Sequence, residues 1–169
     1  MIYEIDLNCI TDTMRVLVKE KEDKNFKYKT IRKIAKLLEK GVELYSFNPN
    51  NPLVKILKIE YVGLQEFYKI KAFSGSQLLL GKEAEVFVDG DWLKVYELRF
   101  HEKVYEFNII KNLYLDTYFT DIYYHNKQKA FKVHIDDEYG IIVNSLMIRF
   151  PGYCPPPVND LIKEESSEK

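Results

Sequence analysis

The residues of this chain that could attack a carbonyl, carry a proton or hold a metal ion are few and scattered. Its two cysteines, Cys9 and Cys154, lie far apart and belong to no Cys-x-x-Cys motif or Cys/His cluster. This spacing argues against a zinc site and favours a reducing compartment. His101 lies in a charged turn and His134 on an alternating stretch beside lysines, so we expect both at the surface. The sequence therefore predicts no metal site and no cofactor.

The composition is typical of one globular, β-rich domain. Among 169 residues, 46% are hydrophobic and 14% are aromatic, which favours β-sheet. The net charge of −1 gives no reason to expect nucleic-acid binding, and no apolar run is long enough to span a bilayer. Residues 1–8 have the pattern of a strand rather than of a signal peptide. We predict one domain over residues 1–150, a flexible Pro-rich and acidic tail over 151–169, and a cytoplasmic location.

The chain in order predicts one helix among many short strands. Thr30 is a good helix N-cap, an apolar stripe follows, and Gly41 ends the helix, so the helix spans about residues 30–40. The stretch Asn8–Thr13 is expected to be a polar break and Glu20–Lys29 a charged loop. Gly63 is expected to mark a turn. Among the predicted strands are Val42–Phe47, Leu53–Tyr61, Ile109–Ile110, Leu113–Leu115 and Ile122–Tyr124.

The most informative stretch runs from Tyr68 to Glu106. It combines an alternating strand, a Ser74-Gly75 turn, a second strand, and the segment VFVDGDWLKVYEL, in which Asp-Gly precedes a tryptophan and another strand. This order resembles the central part of the Hint superfamily, which comprises the inteins and the hedgehog-type autoprocessing domains. The segment CITDTMRVLV is similar to the opening of an intein, and GIIVNSLMIRF is similar to its closing strands. The resemblance implies a mainly β, Hint-like horseshoe fold with one helix.

The resemblance also implies which residues should carry protein splicing. In the family, a Cys or Ser attacks the preceding carbonyl, a Thr-x-x-His step assists that attack, and a terminal His-Asn pair is followed by a second nucleophile. Cys9 is the candidate nucleophile here, although its spacing to Asp12 is one residue short. Gly81 and Ala84 replace the Thr and the His. When the family's Asn-Gly is aligned on Asn144-Ser145, the terminal positions are taken by Arg149, Phe150 and Pro151.

These replacements remove most of the chemistry that the family uses. An arginine stays charged near neutral pH and cannot shuttle a proton as histidine does, and a phenylalanine cannot cyclise. One general acid or base contributes about 10²–10⁴-fold in rate, so we expect splicing to be negligible. Glu83 or Glu85 could stand in for the missing His, but an exposed glutamate is mostly ionised at neutral pH and donates protons poorly. The expected function is that of a binding or structural module with a protein partner. We also expect an origin in a phage or mobile element, and a location in the cytoplasm or, for a phage protein, in the virion.

Several alternatives stay open at this level. Cys9 is either a nucleophile or a small buried hydrophobic residue, and the family spacing would place Asn8 at its position. Residual autoprocessing would cleave the Asn8–Cys9 bond. Asn144-Ser145 could instead be a terminal Asn and its nucleophile, and His125-Asn126 also matches the letters that end inteins, although we expect a polar loop there. A β-rich assembly protein without Hint ancestry is the remaining interpretation.

Overall fold

A computed structural model describes residues 9–137 and 140–149, and the structural statements below concern these residues. The predicted strand over residues 2–7 and the predicted tail over 151–169 lie outside them. Twelve strands and one α-helix are present in the described part. In chain order they are β1 Ile10–Thr11, β2 Arg15–Val18, β3 Lys27–Thr30, α1 Ile31–Glu39, β4 Tyr45–Asn48, β5 Asn51–Ala72, β6 Gln77–Leu80, β7 Glu85–Val88, β8 Asp91–Lys94, β9 Lys103–Asn108, β10 Leu113–Ile135, β11 Ile141–Val143 and β12 Leu146–Arg149.

The helix lies where its capping residues place it. The Thr30 side chain accepts a hydrogen bond from the Lys33 N–H at 3.1 Å, which satisfies one of the donors that a helix start leaves unpaired. Ile31 and Ile34 are fully buried and attach one side of α1 to the main core. Gly41 has a φ of 86°, a left-handed conformation that glycine adopts at helix ends. The predicted helix over about residues 30–40 is confirmed.

A long antiparallel ribbon of β5 and β10 replaces several predicted short strands. The expected turn at Gly63 is wrong, because β5 continues through it. Between the pairs Lys129↔Leu64 and Phe131↔Tyr61 the register shifts by one residue, and Gly63, with a φ of 86°, lies in that bulge. A positive φ thus bends the strand without ending it. In β10, the predicted breaks between Leu115 and Ile122 are likewise absent.

Other boundaries also differ from prediction. The expected polar break contains β1, whose Ile10 is fully buried, and the expected charged loop ends in the edge strand β3. Ile109 and Ile110 lie in the turn between β9 and β10 rather than in a strand, and Ile110 is 91% exposed. The strand predicted over Val42–Phe47 begins only at Tyr45. For β1, β3 and β4, pairing with a partner strand rather than the local sequence pattern decides where the strand begins.

The strands join through β10, which takes part in both regions of the sheet. On one side of the molecule β5, β6, β1 and β10 pair in a closed sequence. On the other side β10 pairs with β9, which leads to β12, β11, β2 and β3, while β7 pairs with β12 and β8 pairs with β7. Leu146 and Ile148 of β12 face the main core, whereas Met147 faces a second cluster on the opposite side. The predicted mainly β architecture with a single helix is confirmed.

Candidate functional site

The two ends of the described chain meet at one short loop. Ile10 of β1 pairs with Leu80 of β6, and the Gly81 N–H that follows donates to the Cys9 carbonyl at 2.8 Å. At the other end of the loop, β7 begins at Glu85, which pairs with Arg149 at the end of β12. The loop Gly81–Ala84 therefore lies between the start of β1 and the end of β12. These are the positions that the resemblance assigned to the nucleophile, the Thr-x-x-His step and the penultimate His.

The loop itself offers no side chain for proton transfer at the two expected positions. The Ala84 N–H donates to the Gly81 carbonyl at 3.2 Å, and the Ala84 carbonyl accepts from the Val95 N–H at 3.0 Å. Ala84 is fully buried, so a methyl group fills the space at this position. Gly81 has no side chain and contributes only its backbone N–H and carbonyl. A general acid or base at these two positions is therefore absent.

Arg149 is held by two partners at the end of β12. Its Nε donates to the Glu85 carboxylate, and its guanidinium lies over the Trp92 ring at 4.6 Å from the centroid. Glu85, expected to be exposed, is only 8% exposed, because its ion pair with Arg149 offsets the cost of burying the carboxylate. Glu83 lies at the surface and its carboxylate is 3.5 Å from Lys94 Nζ. Both glutamates therefore pair with cations.

Cys9 is fully buried against a small apolar cluster. The cluster contains Val62, Phe67 and Ala130, and Leu79 packs against it. This is the environment that the interpretation as a small buried hydrophobic residue requires. It also places the thiol directly before the strand that contacts the Gly81 loop, as the interpretation as a nucleophile requires. Asn8 lies outside the described residues, so burial alone does not separate the two.

The histidines lie away from this loop. His134 was expected at the surface, which is wrong: it is 8% exposed, and its Nε2 is 2.7 Å from Glu60 across the ribbon. Burial lowers the pKa of His134, while the Glu60 carboxylate opposes that shift. His125 lies within β10 rather than in a polar loop. His101 is exposed in a turn with a φ of 64°, as its charged surroundings predicted.

Asn144 and Ser145 form the tight turn between β11 and β12. Their φ values of 46° and 75° are both positive, as a two-residue hairpin of this hand requires. The Asn144 carboxamide accepts from the Arg15 N–H at 3.0 Å and donates to the Gln77 carbonyl at 2.8 Å. The pair is therefore an internal turn that joins β11 and β12 and is hydrogen-bonded to β2 and β6, which fits the alignment of the family's Asn-Gly on these residues. The Asn-Ser dipeptide between two apolar runs was the sequence signal for this role.

The described residues contain no group of three or more His, Cys, Asp or Glu side chains that could hold a metal ion. In the same part of the chain, no helix is both long and apolar enough to cross a membrane.

Comparison with solved structures identifies the fold. Neither a protein-family model nor a curated protein matches the sequence. A mutant of an Ssp DnaB mini-intein variant superimposes with a TM-score of 0.70 at 13% identity, over 88% of this chain and 94% of that one. The DnaB intein from Synechocystis sp. PCC 6803 gives 0.68 at 13%, over 84% and 97%, and the VidaL intein gives 0.69 at 9%, over 86% and 99%. The chain has the Hint fold, the fold of these inteins.

Proposed function

We propose that this chain is a divergent Hint domain that has lost protein splicing and serves as a protein-binding or structural module. The observation that carries the proposal is the loop between the two chain ends. Gly81, Ala84 and Arg149 stand at the positions where the resemblance would have a hydroxyl, an imidazole and a second imidazole. A Hint fold without these proton-moving groups supports a role other than splicing.

The pairing of Arg149 supports the same conclusion. An arginine in contact with a carboxylate and an indole ring stabilises the end of β12, but it neither donates nor accepts a proton at neutral pH. Glu85 is nearly buried and depends on this cation, since an unpaired buried carboxylate is unfavourable. These contacts support a structural role for this corner of the molecule.

Residual autoprocessing is the second candidate, and one observation favours it. Cys9 remains at the start of β1, and its carbonyl is hydrogen-bonded to the loop that would assist an acyl shift. In that reaction the Cys9 thiolate attacks the Asn8 carbonyl, the peptide nitrogen of Cys9 leaves as an amine, and a thioester forms. An external thiol then releases residues 1–8.

One experiment separates these two functions. The intact mass of the full chain is measured before and after overnight incubation with excess thiol at neutral pH, together with Cys9→Ala and with a Gly81→Thr/Ala84→His double variant. We expect the wild-type mass to stay unchanged, as in Cys9→Ala. Loss of residues 1–8 in the wild type alone would show that the acyl shift survives and would contradict the proposal. Cleavage in the double variant would show that the missing side chains are the cause.

The proposed partner is another protein, because several large apolar side chains are exposed. Leu64 is 65%, Phe73 69% and Ile110 91% exposed. The proposal includes a phage or mobile-element origin and a location in the cytoplasm or virion, on the basis of the composition and the intein resemblance. Substituting these side chains by serine should weaken partner binding without changing the urea midpoint. Unchanged binding in all three variants would remove these side chains as the contact.

A further inference from the structure

One face of the sheet around β12 has a layer of aromatic side chains, which we call the aromatic face. It is built on a small buried cluster that includes Phe107 and Met147. Six partly buried aromatic residues pack against that cluster, namely Phe26, Tyr28, Phe47, Phe87, Trp92 and Tyr114. A layer of this kind, outside the main core, is a candidate docking surface.

Part of the aromatic face is a groove lined mainly by ring and apolar side chains. Phe26 and Phe47 lie 4.7 Å apart between ring centroids, and Phe47 meets Phe107 edge-on at 5.0 Å. Pro52 and Ile109 complete its wall, and its volume is about 570 Å³. Aromatic-lined grooves bind segments in the polyproline II conformation, because that conformation is already extended and loses little entropy on docking.

The residues that follow β12 have the sequence of such a segment. Directly after Arg149 comes Phe150-Pro151-Gly152, which has proline and glycine in the two central positions of a type II turn. Pro155, Pro156 and Pro157 then follow and favour the polyproline II conformation. The sequence after β12 thus has the pattern of a turn, followed by the pattern of a segment that binds aromatic grooves.

The geometry of β12 leaves only the aromatic face open to a segment that returns along the strand. Both edges of the strand are paired, with β11 on one side and with β7 and β9 on the other. Leu146 and Ile148 point into the main core, so that side is filled, whereas Met147 belongs to the cluster under the aromatic face. A segment that returned along β12 would find only the aromatic face open, because both edges of the strand are already paired.

Distance and charge are both compatible with this path. Leu146 pairs with Glu106, the neighbour of Phe107, and Arg149 is three residues, or about 10 Å, further along β12. Six extended residues from Arg149 to Pro155 span up to about 20 Å, which is enough to return. Residues 19–29 beside the groove hold five Lys against three Asp or Glu, and residues 158–169 hold four Asp or Glu against two Lys. The two segments have opposite net charge.

We propose that Tyr153–Pro157 docks in cis, in the polyproline II conformation, in the groove formed by Phe26, Phe47 and Phe107. In this arrangement the chain covers part of its own aromatic face, and any protein that binds there has to displace the segment. The inference is independent of whether Cys9 still reacts. It adds a self-occupied surface to a domain proposed above to bind protein partners.

Cys154 lies within the proposed docked segment and reports on it. Its alkylation rate under native conditions is measured by peptide mapping, for the full chain and for a free peptide of residues 150–169. Cys9 is fully buried and mapped separately. The tethered segment has an effective concentration of a few mM at the groove, and a dissociation constant of about 1 mM is assumed for docking. About three quarters of the molecules are then docked, and the alkylation rate of Cys154 is about fourfold lower than in the free peptide.

Variants locate the contact. Replacing Pro155–Pro157 by glycines, outside the described fold, should raise the Cys154 rate to that of the peptide, and Phe26→Ser should do the same. Phe73→Ser is the matched control, because Phe73 is 69% exposed and stacks on Tyr118 elsewhere in the molecule. A full-chain rate equal to the peptide rate and unaffected by the glycine variant would overturn the proposal. Protection that grows with protein concentration would also overturn it, because docking would then occur between copies.

Discussion

Gly140 is the position at which the packing of the closing hairpin can be tested most sharply. Its φ is 92°, a conformation that L-residues rarely adopt, and it lies directly before β11. A Cβ added there would overlap the carbonyl oxygen of Ile148 on β12 and approach the Trp92 ring to 3.0 Å. Alanine at this site therefore combines backbone strain with a clash against backbone that cannot easily move.

The expected cost of Gly140→Ala follows from these two contributions. The left-handed conformation costs an alanine about 1–2 kcal/mol, and the forced shift of packed backbone adds about 1–3 kcal/mol. The free energy of unfolding should therefore fall by about 2–5 kcal/mol, which lowers Tm by about 4–20 °C in a chain of this size. Urea unfolding followed by circular dichroism measures the change.

Gly75→Ala is the matched control for this prediction. Gly75 also has a positive φ, of 106°, but nothing lies within 4 Å of an added Cβ. It should lose only the conformational contribution of about 1–2 kcal/mol. If Gly140→Ala proves no more destabilising than Gly75→Ala, the close approach of Gly140 to β12 and Trp92 is wrong, and so is the reasoning built on it.

Three further changes test other parts of the structure. Thr30→Ala removes the cap of α1 and should lower the free energy of unfolding by about 0.5–2 kcal/mol in urea, whereas Thr30→Ser should cost less. Because burial lowers the pKa of His134 despite the nearby Glu60 carboxylate, the unfolded chain binds the extra proton as pH falls below about 6.5. The free energy of unfolding of the wild type should therefore fall with decreasing pH more steeply than that of His134→Gln, by up to about 1.4 kcal/mol per pH unit. Equal pH dependence in the two proteins would contradict the lowered pKa of His134. Asn144→Gly keeps the turn conformation but loses the hydrogen bonds to Gln77 and β2, so a loss of about 1–3 kcal/mol is expected, and a neutral result would show that these bonds contribute little.

The sequence predicted best those features that are determined locally. The helix was placed within a residue at each end, because Thr30 and Gly41 act on the backbone next to them. The turn at Asn144-Ser145 is also local, but no turn was predicted there, because these residues were interpreted only through the resemblance to inteins. Gly63 shows the limit, since a glycine with positive φ serves a turn or a bulge equally well. The partner strand, some seventy residues away, decides between them.

Burial of charged and titratable side chains was not predictable from the local pattern. Glu85 and His134 stand on alternating stretches that look solvent-exposed, yet each is buried with a partner from a distant strand, Arg149 and Glu60 respectively. The meeting of Cys9 with the Gly81–Ala84 loop, in contrast, followed from the resemblance to inteins. The resemblance predicted which positions converge, whereas the structure shows the contacts that Ala84 and Arg149 make there.

The central claim is that the Hint scaffold persists here without splicing. The most direct test places a folded reporter protein on each side of the full chain and follows the precursor by intact mass spectrometry, with Cys9→Ala as the control. The account predicts that the precursor keeps its full mass and that the wild type and the control behave identically. A ligated product of the two reporters, present in the wild type and absent in Cys9→Ala, would contradict it.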